Sequence, residues 1–189
     1  MNRGLRHLAI AGLLLLATLR CGPGAGAADG TFKEYEVKAV FLLNFAQFVE
    51  WPASAFSTTN APLVIGVIGD DPFGVALEQM AGERVQGHPL LINRGRRLED
   101  VRPCHILFIS KSENPRLSRL LRDLRGTGVL TVGESEPFNR ACGIITFITA
   151  DNRVRFEINT DAADREEIKV SAKLLKVAKV LTKCEPEGH

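Results

Sequence analysis

The residues best suited to chemistry stand at the end of an apolar run, in Gly66-Val67-Ile68-Gly69-Asp70-Asp71. Two adjacent carboxylates after a strand can hold a divalent cation, and neighbouring glycines can let backbone N–H groups close on a phosphate. The spacing fits neither use. It lacks the G-x-G-x-x-G pattern and a P-loop lysine, and the next apolar run ends in Ser110-Lys111-Ser112, without a phosphoacceptor Asp. Pro72 instead makes Asp71 the N-cap of a helix that runs through Leu77 and Met80. Gly69, Asp70 and Asp71 are kept as the lining of a candidate small-molecule crevice, because ligands of open α/β sheets bind outside the carboxyl ends of the strands.

Other reactive residues are scattered. His7 and His189 lie at the two ends, His88 sits beside Pro89 after Gly87, and His105 alone stands in an apolar run. A lone strand histidine reads as a packed or hydrogen-bonded side chain. No nucleophile, base and orienting group come together in the sequence, so no catalytic residue is assigned and no enzyme is expected. Arg94, Arg96 and Arg97 read as a solvated loop. Of the four cysteines, Cys104 opens one apolar run, Cys142 precedes another and Cys184 follows the last helical pattern. Cys104 and Cys142 are candidates for a disulfide, with a pair of buried free thiols as the alternative. No spacing has the C-x-x-C form of a zinc or redox site, so neither metal nor cofactor is expected.

The elements that would position these residues come after an export address. Arg3 and Arg6 precede the apolar run Leu8–Leu19, and Arg20 and the small residues of Cys21–Ala28 come next. That is the pattern of a cleaved signal peptide over residues 1–28, with cleavage after Ala27 or Ala28. The run is too short to span a membrane, and Arg20 stands where a lipid-attachment signal on Cys21 needs a small residue. Residues 29–189 then form one exported domain, periplasmic in a bacterium. The three arginines account for the formal charge of +2: without them 21 basic residues face 22 acidic ones. A nearly neutral body has no electrostatic footprint for nucleic acid.

Lys33–Trp51 has apolar residues at helical spacing (Val37, Val40, Phe41, Phe45, Phe48) until Pro52 stops it. Leu63–Ile68, Leu90–Ile92, Cys104–Ile109 and Val129–Val132 read as short buried strands, with helices after Asp71 and over Arg116–Arg125. This rhythm predicts an α/β single domain with a central, mostly parallel sheet and crossover helices. Ile144–Thr149 and Val154–Ile158 flank Asp151-Asn152 as a β-hairpin with one wet face, Arg155 and Glu157 included. Thr160–Lys183 reads as helical, divided at Ser171, which can cap a new start.

Four stretches together resemble the YfiR/HmsC-like family. They are Glu34–Pro52 (EYEVKAVFLLNFAQFVEWP), Gly66–Gly74 (GVIGDDPFG), Cys104–Ser110 (CHILFIS) and Ile168–Leu175 (IKVSAKLL), and the resemblance runs in order from about residue 34 to residue 182. Where the family pattern leads one to expect Gly-Gly before the hairpin, this chain has Cys142-Gly143. The resemblance implies a small periplasmic α/β protein without catalysis. Such a protein represses a membrane-bound diguanylate cyclase by binding its periplasmic sensory domain, and so lowers cyclic di-GMP and biofilm output. Related domains are attached to sensor kinases, which makes the alternative a small-molecule-binding module feeding such a kinase. The expected partner is therefore the periplasmic domain of an inner-membrane cyclase or kinase, with no membrane insertion after cleavage, and a homodimer is open. Ile168, Val170, Leu174 and Leu175 are the candidate partner-binding residues, because apolar side chains occupy more than one face of that segment.

Overall fold

The computed structural model describes residues 25–182. Most of the segment read as an export address, and Cys184, lie outside the described residues. In chain order the elements are α1 (Ala25–Phe48), β1 (Val49–Glu50), β2 (Leu63–Ile68), α2 (Val75–Glu78), β3 (Arg84–Val85), β4 (His88–Gly95), α3 (Leu98–Val101) and β5 (Ile106–Ile109). The remainder are α4 (Leu117–Asp123), β6 (Leu130–Gly133), α5 (Glu136–Arg140), β7 (Ile145–Ala150), β8 (Arg153–Asn159), α6 (Thr160–Arg165), β9 (Lys169–Val170), α7 (Ala172–Leu175) and β10 (Lys179–Leu181).

Eight strands form one sheet in the order β10-β8-β7-β6-β5-β2-β4-β3. The five from β4 to β7 are parallel; every residue of β2, β5 and β6 is buried, as strands covered on both faces must be. β8 returns antiparallel to β7 through Asp151 and Asn152, both with positive φ, the two-residue turn that matches strand twist. One face is covered by α1: Phe45 stacks on Phe147 at 5.6 Å and meets Phe156 edge-on at 5.0 Å. Burying each such ring contributes about 1.5–3 kcal/mol. α3, α4 and α5 cover the other face, with Val101, Leu117, Leu120, Leu124 and Phe138 inside. Gly66 lets α3 approach β2: a Cβ there would sit 3.0 Å from Leu107 and 3.2 Å from Val101.

Four expectations change. α1 ends at Phe48 because Val49 and Glu50 pair antiparallel with Val170 and Lys169, and the Gln86 side chain donates to the carbonyls of Ala46 and Val49, two of the groups a helix end leaves open. The helix expected at Asp71 starts only at Val75. Asp71 spends its Oδ1 on the Phe73 N–H instead, an Asx turn around Pro72. The last segment is only partly helical. Ser171 does cap α7, accepting from the Leu174 N–H, but β9 and β10 interrupt the helix, since pairing with β1 and β8 satisfies more backbone than a free helical turn could. β10 and α5 also cover the face assigned to water, so Glu157 is buried between Asn139 (2.8 Å) and Lys179 (2.6 Å).

Candidate functional site

The order of strands reverses between β2 and β5, and the candidate ligand crevice lies at their carboxyl ends. Gly69, with φ +93°, turns the chain so that the Asp70 N–H reaches the Ser112 hydroxyl at 3.0 Å. A Cβ on Gly69 would lie 2.4 Å from Ser112 Oγ and 2.9 Å from Glu113. Ser112 and Glu113 therefore fill the switch point. The two carboxylates are taken as well: Asp71 pairs with Arg94 at 2.7 Å and Asp70 with Arg96 at 2.9 Å. Arg94 is not a solvated loop residue, because it also bonds Glu78 and the Gly74 carbonyl. The chemistry of this corner is self-satisfied.

A second polar centre, which no motif announces, lies at the carboxyl end of β6. Glu134, between β6 and α5, accepts from the Tyr35 hydroxyl at 2.7 Å and from Lys38 Nζ at 2.5 Å. Lys38 also pairs with Glu34 at 2.5 Å, and its side chain and that of Glu134 are 3% and 4% exposed. Burial, and then the bond to Glu134, push the Tyr35 phenol well above its ordinary value, while the hydrogen bond from Lys38 holds Glu34 below the usual carboxylate range. The cation also lies 4.5 Å from the Tyr35 ring centre. This cluster pins the amino-terminal half of α1 to the sheet. The one signal for it in the sequence is a lysine inside an apolar helix face.

His105 opens β5 from inside the core. Its Nδ1 accepts from the Val64 N–H at 3.1 Å, which leaves the proton on Nε2 to donate to the Ala55 carbonyl, also at 3.1 Å. The ring stacks on Phe56 at 4.3 Å, with His88 on the far side of Phe56 at 4.0 Å and Trp51 edge-on at 6.0 Å. Burial first, and to a smaller extent His88, hold the imidazole below its ordinary value of 6.5. The native ring resists a proton that the unfolded chain accepts, so its stability contribution is complete above pH 6.5 and is lost as pH falls below it. Unfolding free energies measured at pH 7 and pH 5.5 should therefore differ, with this residue supplying at most about 1.4 kcal/mol per pH unit. A His105→Phe chain should show a flatter profile; an unchanged slope would remove His105 as the source.

The cysteines do not pair as expected. Cys104 is a buried free thiol, pushed up to about 11 by burial and hence unreactive. Cys142 is disulfide-bonded, and not to Cys104. They precede β5 and β7, which lie on opposite sides of β6, a separation of about 9.5 Å and beyond disulfide reach. Cys142 also takes φ +66°, a left-handed conformation suited to the glycine expected at that position.

The candidate partner-binding residues come together beside α1, but facing inward. Ile168 and Leu174 are 1% and 4% exposed and belong to the core, so neither can meet a partner in this conformation. Val170 and Leu175 are half-buried at the core's edge. What remains outside is the rim of the β1–β9 ribbon: Phe48 (37% exposed), the partly buried Trp51, and a crevice lined by Glu50, Asp164, Glu167 and Lys169. The Ser171 N–H donates to the Phe48 carbonyl at 2.9 Å, so the first and last of the four family-like stretches meet there.

No helix among the described residues is long and apolar enough to cross a membrane. No curated protein matches the chain. The model of the YfiR/HmsC-like family matches residues 35–179, from Tyr35 of the buried cluster to the start of β10. That span takes in the five parallel strands from β4 to β7 and both halves of the ribbon. The chain belongs to the YfiR/HmsC-like family, a family of periplasmic regulators in cyclic di-GMP signalling.

Proposed function

We propose that this chain is a periplasmic repressor that binds the sensory domain of a membrane-bound diguanylate cyclase. The observation that carries the reading is the β1–β9 ribbon: it joins the ends of the two family-like stretches furthest apart in sequence and leaves Phe48 and Trp51 at its rim. An exposed phenylalanine beside a tryptophan supplies the aromatic anchors that dominate binding energy at interfaces. Repression then comes from differential affinity: the chain holds the cyclase inactive only by as much as it binds that conformation better than the active one.

The test is a deletion strain complemented with wild type or with Phe48→Asp. Deletion should raise cyclic di-GMP, and wild type should lower it again. Phe48→Asp should fold normally, because the residue is exposed, yet capture the cyclase's periplasmic domain about 30-fold more weakly, the scale of one lost anchor of about 2 kcal/mol. No rise in cyclic di-GMP on deletion would defeat the repression reading. Normal capture by Phe48→Asp would move the docking surface elsewhere.

A further inference from the structure

We propose that the hollow beyond the end of β6 is a binding site for a small neutral polyol, a molecule of the monosaccharide class. The space arises from unequal strand lengths. β6 stops at Gly133, whose neighbour in the sheet is Thr146, while β7 runs on to Ala150 with only β8 beside it. Glu134 and α5 wall the gap on one side, and Glu34 and Lys38 of α1 line it on the other. The hollow measures about 320 Å³, room for about ten waters or for one hexose with a few waters around it.

Charge decides against an ion. Lys38 lies 2.5 Å from both Glu34 and Glu134, Lys111 lies 3.6 Å from Glu134, and Glu136 pairs with Arg140 at 2.6 Å. Each charge in the lining already has an opposite one, and an ionic ligand would bring a like charge close to one of them. An apolar ligand fails for another reason: it would strand a hydroxyl. Thr146 is 4% exposed, and among the described residues its hydroxyl has no hydrogen-bond partner. No fully enclosed side-chain oxygen or nitrogen lacks a partner among those residues, so this hydroxyl opens into the hollow that Thr146 lines.

A second unused group stands in the same lining. Asn139 donates one N–H to Glu157 at 2.8 Å, and its amide oxygen accepts no hydrogen bond among the described residues. An amide oxygen needs a donor, whereas a hydroxyl can donate or accept. Neighbouring hydroxyls of one ligand satisfy both groups. One sugar also replaces several separately ordered waters, each of which costs entropy to hold. The site stands apart from the docking rim, since Lys38 and Phe48 are about 15 Å apart along α1, and it can be tested without the cyclase.

Isothermal titration of the full chain with glucose, galactose, mannose, ribose and myo-inositol should show binding of at least one of them, and none of acetate or putrescine. Thr146→Val should weaken that binding about tenfold, the scale of one lost hydrogen bond. It should leave stability unchanged, because the hydroxyl has no partner among the described residues. With the sugar bound, hydrogen exchange should slow about threefold in residues 33–38 and 134–139, the two segments that wall the hollow. If the valine chain does not fold, this footprint on the wild type decides instead. Silence from every polyol, binding of either ion in their place, equal binding by Thr146→Val or a footprint away from these segments overturns the site.

Discussion

Replacing Lys38 with methionine should cost about 3–5 kcal/mol, the scale for removing one partner of a buried ion pair. In a domain of this size that lowers the melting temperature by roughly 10 °C. The reason lies in what stays behind. Glu134 is buried, and without Lys38 it keeps the Tyr35 hydroxyl and a more distant, exposed Lys111 at 3.6 Å. A carboxylate so placed must take up a proton or draw water into the edge of the core. Glu34 is a third exposed, so its removal should cost under about 1 kcal/mol. The double variant Lys38→Met/Glu134→Gln should recover most of the loss, since the amide oxygen can still accept from Tyr35 and no buried charge is left. Urea titrations of the four chains decide it: a Lys38→Met loss below about 1 kcal/mol, or a double variant no better than the single, would mean that the cluster does not hold α1.

A single methyl group at position 143 should have a comparable effect. A Cβ on Gly143 would fall 2.0 Å from Cε1 and 2.1 Å from Cζ of Phe138. The ring is held close over this corner of the sheet, since a Cβ on Gly133 would likewise fall 2.5 Å from its Cγ, and Phe138 is fully buried. Gly133 at the end of β6 and Gly143 in the link to β7 therefore leave room for one ring and set the height of α5 above the sheet. Gly143→Ala should cost about 3 kcal/mol, at the upper end of overpacking costs. Phe138→Leu should partly rescue it, giving a coupling of more than about 1 kcal/mol in a double-mutant cycle. Gly143→Ala with near wild-type stability would show that α5 can move. Glu134 and the N-cap Ser135 lead into the same helix and Cys142 follows it, so its height also sets where that cysteine stands.

How much of this is legible in the sequence differs from element to element. Leu63–Ile68 is β2 residue for residue, and the Asp151-Asn152 turn is the tip of β7–β8. Both are local matters: an unbroken β-branched run and a pair of residues that tolerate positive φ need no distant partner to be recognised. Asp71 misleads because an Asp-Pro pair serves an Asx turn as well as a helix cap, and only Arg94, from another strand, decides between them. Thr160–Lys183 misleads for a related reason: its helical propensity is real, but β1 and β8 offer open edges that the residues around position 170 do not announce.

The candidate site is less legible than the fold. Ile168 and Leu174 read as partner-binding residues and are core, because an apolar residue has the same signature whether a helix or another protein covers it. Lys38, Glu134 and Tyr35 are invisible as a group, being about 100 residues apart in two pieces.

Amino-acid order alone determined the class of this protein: the strand and helix periods, the hairpin turn and the family-like stretches are all short-range patterns, and short-range sterics and hydrophobic spacing are enough to write them. Tertiary structure decided which charges are buried together, which cysteine is bonded and which apolar residues remain outside. Those properties depend on the distance between segments far apart in the chain, and on the desolvation that closeness brings, and neither quantity is carried by any stretch taken by itself.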